Sequence, residues 1–403
     1  MRVRSLKQRT DVPQPFGWEG CNVQTNAEIA PVAHRRPILS AEVGIEEGCG
    51  QSFYEYVRGQ FGKLIPAFGI ENHGLAIEKS YDLICRESLA ILRGSRGQNF
   101  SRINEDGTPF QFSIALSAGR NPTLQFLGEA AIPGASAAAR LRLSRDRVEA
   151  LAALFDAGPA LSQAQWLLDA IVPCGDPDLM ADHSGAIWIG ASFSREKAPT
   201  LKVYLNVKWG DETRRWSKLN TLASHFSAAA QWHGLIRQMN GAMEPLGIAL
   251  SFTRHRPPSG RIYLGAYGKP IAFYEEIARS LGDASFYRNL RHYSIRLLRE
   301  DYPYPTPSAV CSFGLDGIGA GIDYKLELCG HCLFASDLQA KKRCLDGIDC
   351  LEIDARPYLD MLEVVGEGRL DENKPRVHSY LGLGAKRGVP YCTFYFKPSL
   401  GLS

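Results

Sequence analysis

The chain has 403 residues, 45% of them hydrophobic, with a formal net charge of +3. That length holds one large domain or a few ordinary ones, with enough apolar residues for a sizeable core. The mild charge, spread without a long basic run, and the lack of RNA- or DNA-binding motifs argue against a nucleic-acid partner, so any affinity for anions is local.

The basic N-terminus, Met1 to Trp18, has no apolar stretch of the signal-peptide kind. No long uncharged apolar run occurs, so no membrane span is expected. The ten cysteines are scattered through the chain, as suits reduced thiols of a cytoplasmic protein. Residues 1–48, rich in proline and polar residues, read as a partly irregular lead-in. Residues 49–403 read as a single domain, because no linker-like break divides them.

Helical spacing begins near Gln51, with Phe53, Tyr56, Val57, Phe61 and Leu64 on one face. A second helix is predicted over Gly74 to Arg93. The turn Glu105-Asp-Gly-Thr-Pro109 then precedes a strand from Phe110 to Leu116, and Gly119-Arg-Asn-Pro122 leads into a second from Thr123 to Leu127. Further helices fit Ser144–Phe155, Leu161–Ala170, Trp216–Met243, Ile271–Ser280 and Ser285–Leu298, with a short one over Phe334–Lys341. Between them lie strand pairs: Ala186–Phe193 with Leu201–Trp209, Gly247–Thr253 with Gly260–Tyr267, Ala309–Leu315 with Gly321–Cys329, and His378–Leu383 with Pro390–Lys397.

These strands alternate in an unusual way. Lys202, Tyr204, Asn206 and Lys208 oppose Val203, Leu205 and Val207; Tyr391, Thr393, Tyr395 and Lys397 oppose Cys392, Phe394 and Phe396. Successive strand side chains point to opposite faces, so one face of each strand mixes tyrosine with basic residues. Five hairpins make ten antiparallel strands, enough to close a barrel with a lumen. The predicted fold is therefore α+β: a ten-stranded antiparallel β-barrel with a polar lumen, ringed by α-helices that cover its apolar outside. A conventional sheet with one solvated face is the alternative.

Inward lysines and arginines make an anion site, with Lys202, Arg261 and Lys325 as candidates and Arg120 and Lys397 as further ones. Tyr204, Tyr263, Tyr380 and Tyr395 can hydrogen-bond the same oxygens and present ring faces to a cation, at about 0.5–2 kcal/mol each. A site that binds diphosphate and shields a carbocation needs both.

The segments Asp106-Gly-Thr-Pro-Phe-Gln-Phe-Ser113, Leu201-Lys-Val-Tyr-Leu-Asn206, Gly260-Arg-Ile-Tyr-Leu264, Tyr324-Lys-Leu-Glu-Leu-Cys329, His378-Ser-Tyr380 and Gly388-Val-Pro-Tyr-Cys-Thr-Phe-Tyr-Phe396 together resemble the aromatic prenyltransferases of the dimethylallyltryptophan synthase type, built on the ABBA barrel. The resemblance implies transfer of a dimethylallyl or geranyl group from an allylic diphosphate to an electron-rich ring, most often an indole, without a metal cofactor. It implies that Lys202 and Tyr204 are diphosphate ligands, with Arg261 and Tyr263 as a second such pair. Lys325 and Glu327 fall on a third strand, and Tyr380 and Tyr395 on the closing ones. The sequence departs from the family at two positions. Ser259 stands where a further basic residue is common. Gln111 stands where the family carries a glutamate that binds the indole N–H and assists proton removal. A glutamine amide accepts that hydrogen bond but is no general base near neutral pH.

Other motifs point elsewhere. Cys329-Gly-His-Cys332 has the dithiol pattern of thioredoxin-type disulfide isomerases, but it is flanked by antiparallel hairpins and preceded by Leu328 rather than tryptophan. Cys329, Cys332, Cys344 and Cys350 together offer a four-cysteine zinc set, its second pair widely spaced. A redox or zinc protein centred on Cys329 and Cys332, and a barrel that carries a hydrophobic anion without chemistry, are the competing functions. Asp176-Pro-Asp178 is too thin for a magnesium-diphosphate cluster and reads as a turn. Arg254-His-Arg256, before Pro257-Pro258, reads as a charged loop or a guard at the barrel mouth.

Overall fold

The inward-polar alternation does what it predicts: the sheet closes on itself. The computed structural model describes residues 52–90, 101, 103–104, 106–130, 135–172, 187–239, 241–281, 284–298, 309–316, 322–367, 370–386 and 389–398. Its strands are β1 (Phe110–Leu116), β2 (Thr123–Gly128), β3 (Ile187–Ser194), β4 (Lys197–Asn206), β5 (Glu244–Thr253), β6 (Ser259–Ala266), β7 (Ala309–Asp316), β8 (Ile322–Cys329), β9 (His378–Lys386) and β10 (Val389–Phe396). They form one closed barrel in the order β1-β10-β9-β8-β7-β6-β5-β4-β3-β2, every pair antiparallel. The last strand returns to the first, with Ser113 opposite Tyr395. A lone sheet with one solvated face is thereby excluded, and no strand edge is left unpaired. The lead-in proposed for residues 1–48 lies outside the described residues.

The helices are α1 (Phe53–Ala67), α2 (Gly74–Cys85), α3 (Ala137–Leu154), α4 (Gly158–Ile171), α5 (Glu212–His225), α6 (Ala229–Met239), α7 (Ile271–Ser280), α8 (Ala284–Leu298), α9 (Gly330–Leu333), α10 (Asp337–Asp349) and α11 (Arg356–Val365), and all but the short α9, which follows β8 at the end of the barrel, pack its outside. Val203, Leu205, Cys392, Phe394 and Phe396 all belong to this outer core. Phe61 of α1 shows how the helices grip the strands: its ring lies 5.0 Å from Phe112 and 5.2 Å from Phe126, edge to face. A second, smaller apolar cluster lines the lumen and includes Leu127, Trp188, Tyr263, Cys329 and Tyr380.

Several helix bounds differ from expectation. The helix expected over Trp216–Met243 is two helices, broken where Ser227 adopts a φ of 55° and Ala228 N–H returns to Ala223 O. The indole of Trp232 then donates to Asn220 Oδ1 at 3.0 Å, folding α6 back on α5. Helix α3 starts before Ser144, because Ser136 caps it through Ala139 N–H. Helix α2 ends at Cys85, short of Arg93. Helix α10 runs well past Lys341, and α11 lies where no helix is expected. Among the described residues no helix is long and apolar enough to cross a membrane.

The connections sort by end. The strand ends joined within the β1–β2, β3–β4, β5–β6, β7–β8 and β9–β10 pairs gather at one end, here the hairpin end, and the strand ends joined through helices lie at the other. Each inward row therefore runs from a hairpin end to a helix end.

Candidate active site

Strand direction sets the height of each inward residue. Lys202 on β4, Arg261 on β6 and Lys325 on β8 stand toward the hairpin end. Tyr204, Tyr263 and Glu327, each two residues further along its strand, stand one step deeper. Glycine makes room opposite these side chains. A Cβ on Gly314, paired with Arg261 across β6–β7, would lie 2.8 Å from the guanidinium. A Cβ on Gly382 would lie 3.3 Å from Lys325 Cδ and 3.5 Å from Glu327 Cγ.

The cations are held by neutral partners as well as charged ones. Lys202 Nζ donates to Gln125 Oε1 at 2.5 Å, and Arg261 Nη1 donates to Ser312 Oγ at 3.0 Å. Removal from water lowers the Lys202 ammonium to about 7, and repulsion from Lys325, Arg261 and Lys386 acts in the same direction. Burial likewise lowers Lys325, opposed by the Glu327 carboxylate. Buried cations left mutually repelling suit an anion that arrives later.

Below them lies a ring of phenols. The Tyr204 and Tyr263 rings are 6.2 Å apart and tilted at 42°; Tyr380 and Tyr395 are 6.3 Å apart and nearly perpendicular. Lys325 Nζ donates to Tyr395 Oη at 2.8 Å and pairs with Glu327. Tyr395 Oη in turn donates to Glu327 Oε1 at 2.7 Å. Burial pushes the Tyr204, Tyr263 and Tyr395 phenols above their ordinary range, so they are neutral donors with intact ring faces.

Gln111 lies at the helix end, buried. Asn104 Nδ2 donates to the Thr108 and Phe110 carbonyls at 2.9 and 2.8 Å, which fixes its Oδ1 as an acceptor. Gln111 Nε2 donates to that oxygen and to Ser379 Oγ, both at 3.0 Å. The amide orientation is thus set by the backbone, and Oε1 is left as its acceptor. Cys329, His331 and Cys332 also gather here: the Cys329 thiol is 2.7 Å from Cys332 Sγ and 3.2 Å from His331 Nδ1.

Lys202, Tyr204, Arg261, Tyr263, Lys325, Tyr380 and Tyr395 thus share the lumen, with Gln111 at its helix end. Arg120 sits exposed in the β1–β2 turn at the hairpin end, away from the enclosed set. Lys397 shares a face with Tyr391 but lies at the opposite end, 3.3 Å from Asp106, so it is no partner for the other cations. Ser259 opens β6 at the hairpin end opposite Ser251. Arg254 pairs with Asp156 in the exposed β5–β6 turn. The four-cysteine set does not assemble: Cys344 is buried in the outer core and Cys350 donates to Gly347 O at the end of α10. Among the described residues, the ligand-type cluster is Cys329, His331 and Cys332 alone. Asp176 and Asp178 lie outside the described residues. Sequence reasoning misses Gln125, Ser312, Asn104 and Ser379. Gln125 and Ser312 follow from the two-residue period of β2 and β7. Asn104 has no periodic signal.

No family model matches the chain, and no curated protein matches it. Solved structures do. The 6-dimethylallyltryptophan synthase from Micromonospora olivasterospora, in complex with DMASPP and Trp, superposes with a TM-score of 0.77 at 17% identity, over 88% of this chain and 99% of that one. The prenyltransferase PriB, in a ternary complex with L-tryptophan and dimethylallyl thiolodiphosphate, gives 0.74 at 18% identity, over 87% and 98%. The 5-dimethylallyltryptophan synthase from Streptomyces coelicolor gives 0.73 at 17% identity, over 87% and 99%. At such identity the likeness is one of architecture: the chain has the ten-stranded, helix-ringed barrel of the dimethylallyltryptophan synthases.

Proposed function

We propose that the protein transfers a prenyl group, dimethylallyl or geranyl, from an allylic diphosphate to an electron-rich aromatic small molecule of the indole class. The observation that carries this reading is the stacking of two layers in one closed lumen: Lys202, Arg261 and Lys325 above, Tyr204, Tyr263 and Tyr395 below. The cations take the charge that develops on the leaving diphosphate as the C–O bond ionises. The tyrosine faces stabilise the allylic cation by about 0.5–2 kcal/mol each and exclude water that would capture it. The aromatic carbon then attacks the cation, and the ring loses a proton. The Micromonospora structure that shares the fold holds DMASPP and Trp, which is the substrate pair the two layers suit.

In this reading lysine and arginine replace a metal ion on the diphosphate. The activity in this reading resides in one unit, residues 49–403, in the cytoplasm, with no nucleic-acid partner and no membrane span. Arg120, at the hairpin end, is proposed to meet the diphosphate as it arrives. Gln111 is proposed to accept a hydrogen bond from the acceptor through Oε1.

The test is incubation with dimethylallyl and geranyl diphosphate against a panel of indoles, with a chelator present. A prenylated indole is the expected product, and Lys202→Ala is expected to lose it while keeping the wild-type circular dichroism. Diphosphate binding without product from any acceptor would leave a carrier barrel instead. Unchanged turnover in Lys202→Ala would remove that lysine from the site.

A further inference from the structure

Loss of the ring proton needs a group to receive it, and Gln111 offers only an amide. The inward row of β8 descends from the hairpin end as Asp323, Lys325, Glu327 and Cys329. Lys325 belongs to the cation layer and Cys329 to the apolar cluster of the helix end. Glu327 therefore stands at the level between leaving group and acceptor, where the new carbon–carbon bond would form.

Glu327 is fully buried. Its Oε1 is occupied by Lys325 and by the Tyr395 hydroxyl at 2.7 Å. Its Oε2 is buried and has no hydrogen-bond partner among the described residues. A buried carboxylate oxygen is costly to leave unsatisfied unless a ligand or a proton completes it. The stem is held against β9 at Gly382, 3.5 Å from where a Cβ would be, so the carboxylate is positioned by packing as well as by hydrogen bonds.

We infer that Glu327 is the catalytic residue that takes the proton from the prenylated ring, through Oε2. This rests on the proposed function. The allylic C–O bond breaks and its electron pair leaves with the diphosphate. The ring carbon bonds to the allylic cation, giving a ring cation with a hydrogen on the attacked carbon. That C–H bond then breaks, its electron pair restores the aromatic ring, and the proton goes to Oε2. Lys325 and Tyr395 hold Oε1 throughout, so the free oxygen is the one presented. The proton leaves to solvent when the products depart.

Glu129 is the competing carboxylate. It too is buried with one oxygen lacking a hydrogen-bond partner among the described residues, and burial raises it to about 7. Yet it follows the last residue of β2, one step past Leu127 toward the helix end, and is bound by Arg140 of α3 at 2.8 Å. Burial raises the Tyr204, Tyr263 and Tyr395 phenols, and the nearby Glu327 carboxylate adds to it in each.

The experiment compares wild type, Glu327→Gln, Glu327→Asp and Glu129→Gln with dimethylallyl diphosphate and an indole deuterated at the prenylated position. The wild type is expected to make product with little isotope effect. In Glu327→Gln, prenylated product falls by about 100-fold, diphosphate release continues, prenyl alcohol accumulates and a primary isotope effect emerges. Glu327→Asp recovers part of the product and guards against a folding defect in the first variant. Product and isotope effect unchanged in Glu327→Gln, or diphosphate release falling in step with product, would overturn the assignment. So would an isotope effect emerging in Glu129→Gln instead. A wild type that makes no product with any indole would overturn the proposed function itself, and the inference with it.

Discussion

At Lys202 the fold works against the residue's own charge. Burial and three neighbouring cations lower its ammonium from 10.5 to about 7, so the free protein near pH 8 holds it mostly neutral. Under the proposed function, a bound diphosphate would supply the missing negative charge and raise the pKa again, so binding would bring a proton to this lysine above about pH 7. Titrating inorganic diphosphate near pH 8, in buffers of differing ionisation enthalpy, is expected to show the wild type taking up more protons than Lys202→Arg, which is always charged, with the difference vanishing near pH 6. The stability sign follows. Between about 7 and 10.5 the unfolded chain keeps a proton that the folded one has lost, so this residue makes the unliganded protein more stable as pH rises through that window.

Much of this site is legible from residue types alone, because a strand's period of two fixes the face each side chain takes. Lys202, Tyr204, Arg261, Tyr263 and Lys325 are found that way. Height along the barrel is not legible. Lys397 is on the same face as Tyr391, yet six residues at about 3.3 Å each carry it some 20 Å down the lumen, to Asp106 instead of the other cations. Hydrogen-bond partners from neighbouring strands, such as Gln125 and Ser379, depend on register, which no single strand reveals.

At the scale of elements, the helices are seated by small residues on the strands' outer face. A Cβ on Gly128 of β2 would fall 2.6 Å from Ile84 Cγ2 and 2.7 Å from Cys85 Sγ on α2. Gly128→Ala must push α2 off the barrel, and overpacking of this kind costs about 1–3 kcal/mol. The expected result is a lower urea midpoint at unchanged slope, with wild-type diphosphate affinity because the lumen is untouched. An unchanged midpoint would mean that the helix yields freely. Most strands are readable nearly to their ends, but β4 runs Lys197–Asn206 rather than from Leu201 to Trp209, because the alternation of Val207 and Lys208 continues past the last ladder pair. Helices are less so. The apolar spacing that carries α5 runs on into α6, and nothing in it marks the left-handed turn at Ser227. Helix α10 is legible only in its first turn, and α11 not at all, its short run of Tyr358, Met361, Leu362 and Val365 being easy to miss between longer segments.

For the whole molecule, closure depends on strands at opposite ends of the described chain. Pairing β1 with β10 joins residues near 113 to residues near 395, so the barrel is completed by its least local contact. That count of hairpins is visible in the sequence, and with it the architecture shared with the tryptophan prenyltransferases. Which acceptor the proposed function would use is not, because it would depend on the shape of the helix end, where Ile103 and the Gly330–Leu333 turn approach the lumen. The sorting of turns to one end and helical connections to the other has a consequence in time. Under the proposed function, with the hairpin end proposed as the entrance, both substrates queue at the same door, and the diphosphate stops nearest to it. The aromatic molecule must go in first and come out last. An excess of allylic diphosphate should therefore slow the enzyme by locking the acceptor outside, and steady-state rates that rise monotonically to a plateau at every acceptor concentration would show that a second door exists.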